Sequence, residues 1–350
     1  MPRLLSLLPG LFLAVAVAAA ARGVHGLLPP ALAPTLAEVL FAVLFGLVVG
    51  NLIPSGGLAD AVRPGIAFSF KTLLRVAIIL LGARLSLGQI AAIGGKALIL
   101  VVLLMTLALV VAHQLGRRLG VPARLATLIG VGTSVCGNSA ISATAPVIGA
   151  RDDEVSFAVA TNTLLGTAAV FAYPLIGRAL GFDDPTYGTW AGTAVNDTSQ
   201  VVAAGFAYSD PAGEVATTVK LTRNALMGFV IVAVGFLHAG DGDESADVPW
   251  TTRLKQSVPL FVVGFLALAL ANSVGLLDSV GGALGVDLQA LCAAASKALV
   301  LVALAGVGLG TRAATLRATG PKPFVLGLVA ALATSLGSLL LIAMLGPAGA

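Results

Sequence analysis

The amino-acid sequence predicts an all-α polytopic membrane protein of about eleven transmembrane helices, with inverted repeats and two helices broken by polar residues. Three observations carry this expectation. Hydrophobic residues make up 58% of the chain against 10% charged, and the mean hydropathy is +1.01, which leaves no core-and-surface split of a soluble domain. Apolar runs of the ~20 residues that a spanning helix needs recur along the whole chain. Two short segments, G-T-S-V-C-G-N-S-A over 132–140 and G-T-A-V-N-D-T-S-Q over 192–200, interrupt those runs and resemble one another. Backbone N–H and C=O groups must be satisfied at membrane depth, so such breaks are tolerated only against protein or a water-filled cavity.

The runs fall at 4–21, 36–53, 66–83, 97–115, 125–149, 155–177, 187–207, 215–238, 257–274, 288–309 and 323–345. The chain therefore reads as a single transporter domain over residues 1–350. The first run, bounded by Arg3 and Arg22, fits a retained first span or a secretory signal peptide; a polytopic chain normally uses its first span for targeting, so retention is expected. The fifth and seventh runs carry the polar breaks. The acidic stretch 241–247 reads as a solvated connector.

Counted on eleven spans with the amino terminus inside, Arg3, Arg63, Arg117, Arg118, Arg124, Arg178, Arg253, Lys255, Arg312, Arg317 and Lys322 face the cytoplasm. Arg22, Arg84, Lys96, Arg151, Lys220 and Arg223 face outward. The excess inside favours a cytoplasmic amino terminus. The pI near 9.3 reflects these loops; no basic and aromatic interleaving points to nucleic acid. Cys136 and Cys292 stand far apart in no metal-ligand spacing. No Walker A motif is present and no cofactor is expected.

Residues 71–96 align without gaps to 297–322, pairing Lys71 with Lys297, Gly82 with Gly308, Gly94 with Gly320 and Lys96 with Lys322. On the span count these copies, the repeat-related segments 66–118 and 292–345, are inverted. Inverted repeats with broken helices at the midplane are a signature of secondary transporters. The similarity of the two breaks is a second repeat. The first pair is separated by seven spans and the second by two, so no single five-plus-five scheme accommodates both.

Half-helix amino termini present free N–H groups and partial positive charge, a ready site for an oxyanion. Thr133, Ser134, Cys136, Gly137, Asn138 and Ser139 from one break, and Thr193, Asn196, Thr198, Ser199 and Gln200 from the other, are the candidate substrate-binding residues. The blander account is close helix packing by small polar residues. Asp197, a carboxylate inside a span, is the candidate for coupling to a proton or sodium ion, or else a structural partner of Lys220 or Arg223. Lys220 and Arg223, one helical turn apart, bind an anion, balance Asp197, or snorkel to an interface. Arg75 lies deeper in its run than Lys71 or Lys297 and is the better candidate for a buried cation that attracts an anion; for the two lysines snorkelling is expected. Crossing helices and re-entrant hairpins remain open for the broken segments.

The segments T-S-V-C-G-N-S-A at 133–140 with Ala145 and Pro146, A-G-T-A-V-N-D-T-S-Q-V-V-A-A at 191–204, V-K-L-T-R at 219–223, and Arg75 through Arg84 resemble the UPF0324 or YeiH-like family of prokaryotic inner-membrane proteins, often called putative sulfate exporters. The resemblance runs from about residue 36 to the carboxyl end. It is similar in turn to bile-acid and sodium/proton transporters, which implies a core of crossing broken helices moving against a scaffold. The expected function is secondary transport of a small anion, sulfate or a related sulfur oxyanion, by alternating access. A cation/proton antiporter using Asn196 and Asp197 is the alternative, and an intramembrane hydrolase using Cys136 or Ser139 with Asp197 a remote one, since no general base is recognisable. The protein is not expected to be an enzyme. The expected partners are the anion, a coupling ion, membrane lipid and a second copy in a homodimer, not nucleic acid.

Overall fold

A computed structural model describes residues 5–28, 38–54, 56–238, 260–311 and 321–348. The connector at 241–247 and the loop cations Arg3, Arg253, Lys255, Arg312 and Arg317 lie outside them, as does Gly320 of the repeat. The described residues are helical throughout and contain no strand: α1 Leu8–Gly26, α2 Glu38–Leu52, α3 Gly57–Phe68, α4 Leu74–Leu81, α5 Leu87–Leu119, α6 Ala123–Ser134, α7 Asn138–Thr144, α8 Asp152–Ala179, α9 Asp184–Ala194, α10 Thr198–Tyr208, α11 Asp210–Ala225, α12 Met227–His238, α13 Leu260–Ser273, α14 Leu276–Leu284, α15 Leu288–Gly310 and α16 Pro321–Leu345.

Six of these are long and apolar enough to cross a membrane: α1, the continuous helix Gly57–Arg84, α5, α8, α15 and α16. Counting α11 with α12, bent by 41°, and α13 with α14, bent by 74°, gives eight. The count of eleven further needs the 15-residue α2 and the two broken segments, which length and composition do not establish. The third apolar run is longer than its sequence suggests, because α3 passes through a π-helical turn at Ser69–Leu73 into α4 and the turn Gly82–Arg84. Its polar first turns, with Asp60 and Arg63, hide the helix from a hydropathy reading.

The starts of several helices are written in local chemistry. Asp183 accepts from Thr186 N at 3.0 Å, Ser209 Oγ from Ala212 N at 3.1 Å, and Asp287 from Ala290 N at 2.9 Å, and prolines follow the first two caps, as helix entry favours.

The helices form two compact units. One comprises α1–α4, the start of α5, and α13–α15. There α2 and α15 cross on glycines: a Cβ on Gly308 would stand 2.8 Å from Leu47 N and 2.9 Å from Gly46 Cα, the close approach that small residues permit between apolar helices. Ser296 Oγ on α15 donates to Ala77 O at 2.7 Å.

The other unit comprises the rest of α5, α6–α9, α10 as far as Gly205, α11, α12 and α16. Here α9 lies tightly on α11, since a Cβ on Gly192 would stand 2.8 Å from both Ala216 O and Val219 Cβ. Trp190 stacks on Tyr173 with centroids 4.2 Å apart, and its Nε1 donates to Ser335 Oγ of α16 at 3.1 Å. Thr193 Oγ1 pairs with Ser338 Oγ at 2.6 Å. These contacts hold the first half of the second broken segment against α11 and α16.

Candidate functional site

Both polar segments break their helices. The first stops at Ser134, turns through Val135 to Gly137, and restarts as α7. Gly137 has φ +67° and ψ −129°, a positive-φ conformation that disfavours any residue with a Cβ. The second stops at Ala194, runs extended through Val195 to Asp197, and restarts as α10. Each break exposes two helix ends with unpaired backbone groups. The two breaks touch: a Cβ on Gly137 would stand 2.8 Å from Asp197 Oδ2 and 3.0 Å from Asp197 Cα.

The carboxyl-terminal ends, α6 and α9, are closed by two cations from α11. Arg223 donates from Nε to Ser134 O at 3.1 Å and from one terminal nitrogen to Thr133 O at 2.6 Å. Its other terminal nitrogen donates to Gly192 O, Thr193 O and Val195 O at 3.1, 2.7 and 3.1 Å. Lys220 Nζ donates to Val135 O at 2.8 Å, to Val195 O at 3.1 Å, and to Asn196 O. Three carbonyls around one nitrogen match the three N–H donors of an ammonium. Lys220 is 0% exposed and Arg223 1%. They sit in the last turns of α11 and are buried, so neither snorkels. Among the described residues neither forms an ion pair with Asp197; their partners are the orphaned carbonyls and the negative ends of two helix dipoles.

The amino-terminal ends, α7 and α10, carry a different chemistry. Asp197 caps α10, its Oδ1 accepting from Ser199 N at 3.0 Å and Ser199 Oγ at 2.8 Å, while Gln200 Oε1 accepts from Asp197 N at 3.2 Å. This is a reciprocal capping box. Asn138 Nδ2 donates to Thr163 Oγ1 at 3.0 Å, and Asn162 Nδ2 to Asn138 Oδ1 at 3.0 Å. Gln200 Nε2 reaches Thr163 O at 3.3 Å, and Asn224 Nδ2 reaches Thr198 Oγ1 at 3.2 Å. Asn138, Asp197, Thr198 and Ser199 are half-buried and Ser139 is exposed, whereas Thr133, Ser134, Cys136, Gly137, Thr193, Asn196 and Gln200 are buried.

Residues 9–327 match the protein family described as conserved hypothetical protein 698. The chain belongs to this family. It is 38% identical over 261 residues to a UPF0324 membrane protein of Agrobacterium fabrum, covering 75% of this chain and 72% of the relative. It is 32% identical over 292 residues to one of Clostridium tetani, covering 81% and 83%. It is 35% identical over 295 residues to one of Streptococcus pyogenes, covering 83% and 85%. No solved structure matches it significantly. With its apolar helices, this UPF0324 member is a multi-pass membrane protein.

The UPF0324 fold brings the two sequence clusters together but divides them by depth. Thr133, Ser134 and Thr193 meet the cations through their carbonyls, while the Ser134 hydroxyl bonds within its own helix and the Thr193 hydroxyl bonds within its own helix and with Ser338. Cys136 Sγ lies 3.4 Å from Met227 Sδ. Arg75 departs from the buried cation expected of it: it belongs to the other unit and is exposed, its guanidinium carbon 6.0 Å from the Phe261 ring centroid. Asn162, Thr163 and Asn224 join the network without having been singled out. The polar run T-N-T at 161–163 inside an otherwise apolar span was the signal for the first two. Asn224, beside Arg223, carries no such signal.

Proposed function

We propose that this protein is a secondary active transporter of a small anion, sulfate or a related sulfur oxyanion, working by alternating access with Asp197 as the coupling group. The observation that carries this reading is charge. Two buried cations and one carboxylate meet at the breaks, which leaves one surplus positive charge. The dipoles of the four helix ends cancel to first order, two positive against two negative. An anion offsets that surplus, and a further cation adds to it.

The substrate is assigned to the accessible amino-terminal side, where the N–H groups of α10 and the side chains of Asn138, Ser139, Thr198 and Ser199 offer donors. Arg223 and Lys220 act there through their field, since their own donors are engaged by carbonyls. Protonation of Asp197 raises the surplus to two positive charges, the complement of a dianion, and so couples proton and anion. A sodium ion at the carboxylate has the same effect. The test is sulfate binding by calorimetry in detergent, for the wild type and for Lys220→Met, with selenate and perchlorate as competitors. Sulfate binding that weakens about tenfold or more in the variant supports the reading, and undiminished binding overturns it.

One observation favours the cation/proton antiporter instead. Asp197 Oδ2 makes no hydrogen bond among the described residues, and Asn162 Oδ1 is buried without a partner. Sodium-dependent heat without any sulfate response selects that reading.

A further inference from the structure

The continuous helix Gly57–Arg84 contains 28 residues, about 42 Å at 1.5 Å per residue. Lys71 and Arg75 stand four residues apart on it, and both are exposed. A helix that began at residue 66 would leave Lys71 near an end, free to snorkel. The observed start at Gly57 places Lys71 in the middle of the helix, about 21 Å along it from the first residue. With the membrane centred on the apolar stretch 66–83, Arg75 is about 1 Å from the middle and Lys71 about 5 Å. Arg75 then has about 14 Å of hydrocarbon on each side, further than its side chain extends. Charges at this depth face protein or water, not lipid.

Among the described residues neither cation meets a carboxylate. Lys71 Nζ lies 5.9 Å from the Phe70 centroid and Arg75 stacks near Phe261. Every described carboxylate caps a helix or lies within its first five residues, and of these only Asp197 caps one at a break. Water and a mobile anion fit two exposed cations with no described carboxylate beside them. The π-helical turn Ser69–Leu73 contains Lys71, and such turns recur at functional positions.

We propose that the Lys71–Arg75 face is the wall of an aqueous path at membrane depth that concentrates small anions, carried by the unit other than the one that holds the breaks. This deepens the anion-transport reading and rests on it for its role, while the aqueous, anion-selective character stands by itself. Two fixed cations beside low-dielectric walls raise the local anion concentration and its rate of arrival.

The test is reactivity of Lys71→Cys and of Arg75→Cys in a Cys136→Ala, Cys292→Ala background, in sealed proteoliposomes. The probes are membrane-impermeant methanethiosulfonates of either charge and a membrane-permeant maleimide. Each variant retains one of the two cations. We expect both positions to react, the anionic reagent roughly tenfold faster than the cationic one, and slower in millimolar sulfate. Labelling by the maleimide alone overturns the aqueous path. Equal rates for the two charged reagents overturn its anion selectivity. A preference for the anionic reagent in a protein without sulfate flux retains this inference and removes the transport reading. If either cysteine variant does not fold, Lys71→Gln and Arg75→Gln carry the test: the KM for sulfate flux rises about fivefold at low ionic strength and by less at high, and an unchanged KM overturns the inference.

Discussion

The Arg223 guanidinium lies 2.7 Å from the Thr193 carbonyl oxygen and 2.6 Å from that of Thr133, so one side chain on α11 ties together the carboxyl-terminal ends of both broken helices. Lys220 repeats the bridge one turn earlier, between Val135 and Val195. Carbonyls that the helix breaks would otherwise leave orphaned become ligands of two cations. The breaks are therefore held by charge as well as by packing.

Removing this bridge is expected to be costly. Arg223→Gln leaves several buried carbonyls without donors and is predicted to lower stability by about 3–5 kcal/mol, the range for breaking a buried charged network. Arg223→Lys keeps the charge but cannot reach both helix ends with a planar fork, and falls between. Thermal unfolding in detergent measures the order wild type, Arg223→Lys, Arg223→Gln. Equal stability for wild type and Arg223→Gln contradicts the capping role.

Gly137→Ala tests the contact between the breaks. Its φ of +67° with ψ −129° costs a side-chain-bearing residue about 1–3 kcal/mol. The new methyl would also stand 2.8 Å from Asp197 Oδ2 and Asn162 Nδ2. The substitution is predicted to reduce transport at least about tenfold, with a destabilisation of about 1–3 kcal/mol. Flux and unfolding measured on one preparation separate these effects.

Gly192→Leu acts at a distance from the accessible side. The close approach of α9 to α11 depends on this position, where a Cβ already meets Ala216 O and Val219 Cβ at 2.8 Å. Forcing the helices apart costs about 1–3 kcal/mol and withdraws Lys220 and Arg223 from their carbonyls. Cysteine pairs placed across α9 and α11 are predicted to cross-link more slowly in this variant.

The legible part of this fold followed from two kinds of signal. Long apolar runs marked α5, α8, α15 and α16, because hydrocarbon demands them. The clusters at 132–140 and 192–200 marked the breaks, because polar backbone at membrane depth needs a reason. The roles of Lys220 and Arg223 were not legible. Their i and i+3 spacing is the same for a snorkelling pair, an anion site and a dipole clamp, and only the fold shows that the groups they meet are backbone carbonyls, which have no sequence signature. The length of the helix that carries Lys71 was obscured in the same way, since Asp60 and Arg63 in the first turns of Gly57–Arg84 made it look shorter than its 28 residues.

Asn162→Ala tests the network that the clusters did not announce. It removes the donor to Asn138 Oδ1 and an acceptor that has no partner, so the change in stability is expected to stay within about 1 kcal/mol. The KM for the transported anion is predicted to rise about threefold to tenfold, because Asn138 loses its support. An unchanged KM places Asn138 outside the substrate's reach.

Whether the surplus positive charge at the breaks carries an anion, coupled by Asp197, is read out by flux of labelled sulfate in proteoliposomes, with and without a pH or sodium gradient, for wild type and Asp197→Asn. Gradient-driven sulfate accumulation is expected in the wild type, and in Asp197→Asn exchange that no longer responds to the gradient. Absence of sulfate flux in the wild type, with sodium-dependent proton movement that Asp197→Asn abolishes, would contradict that expectation.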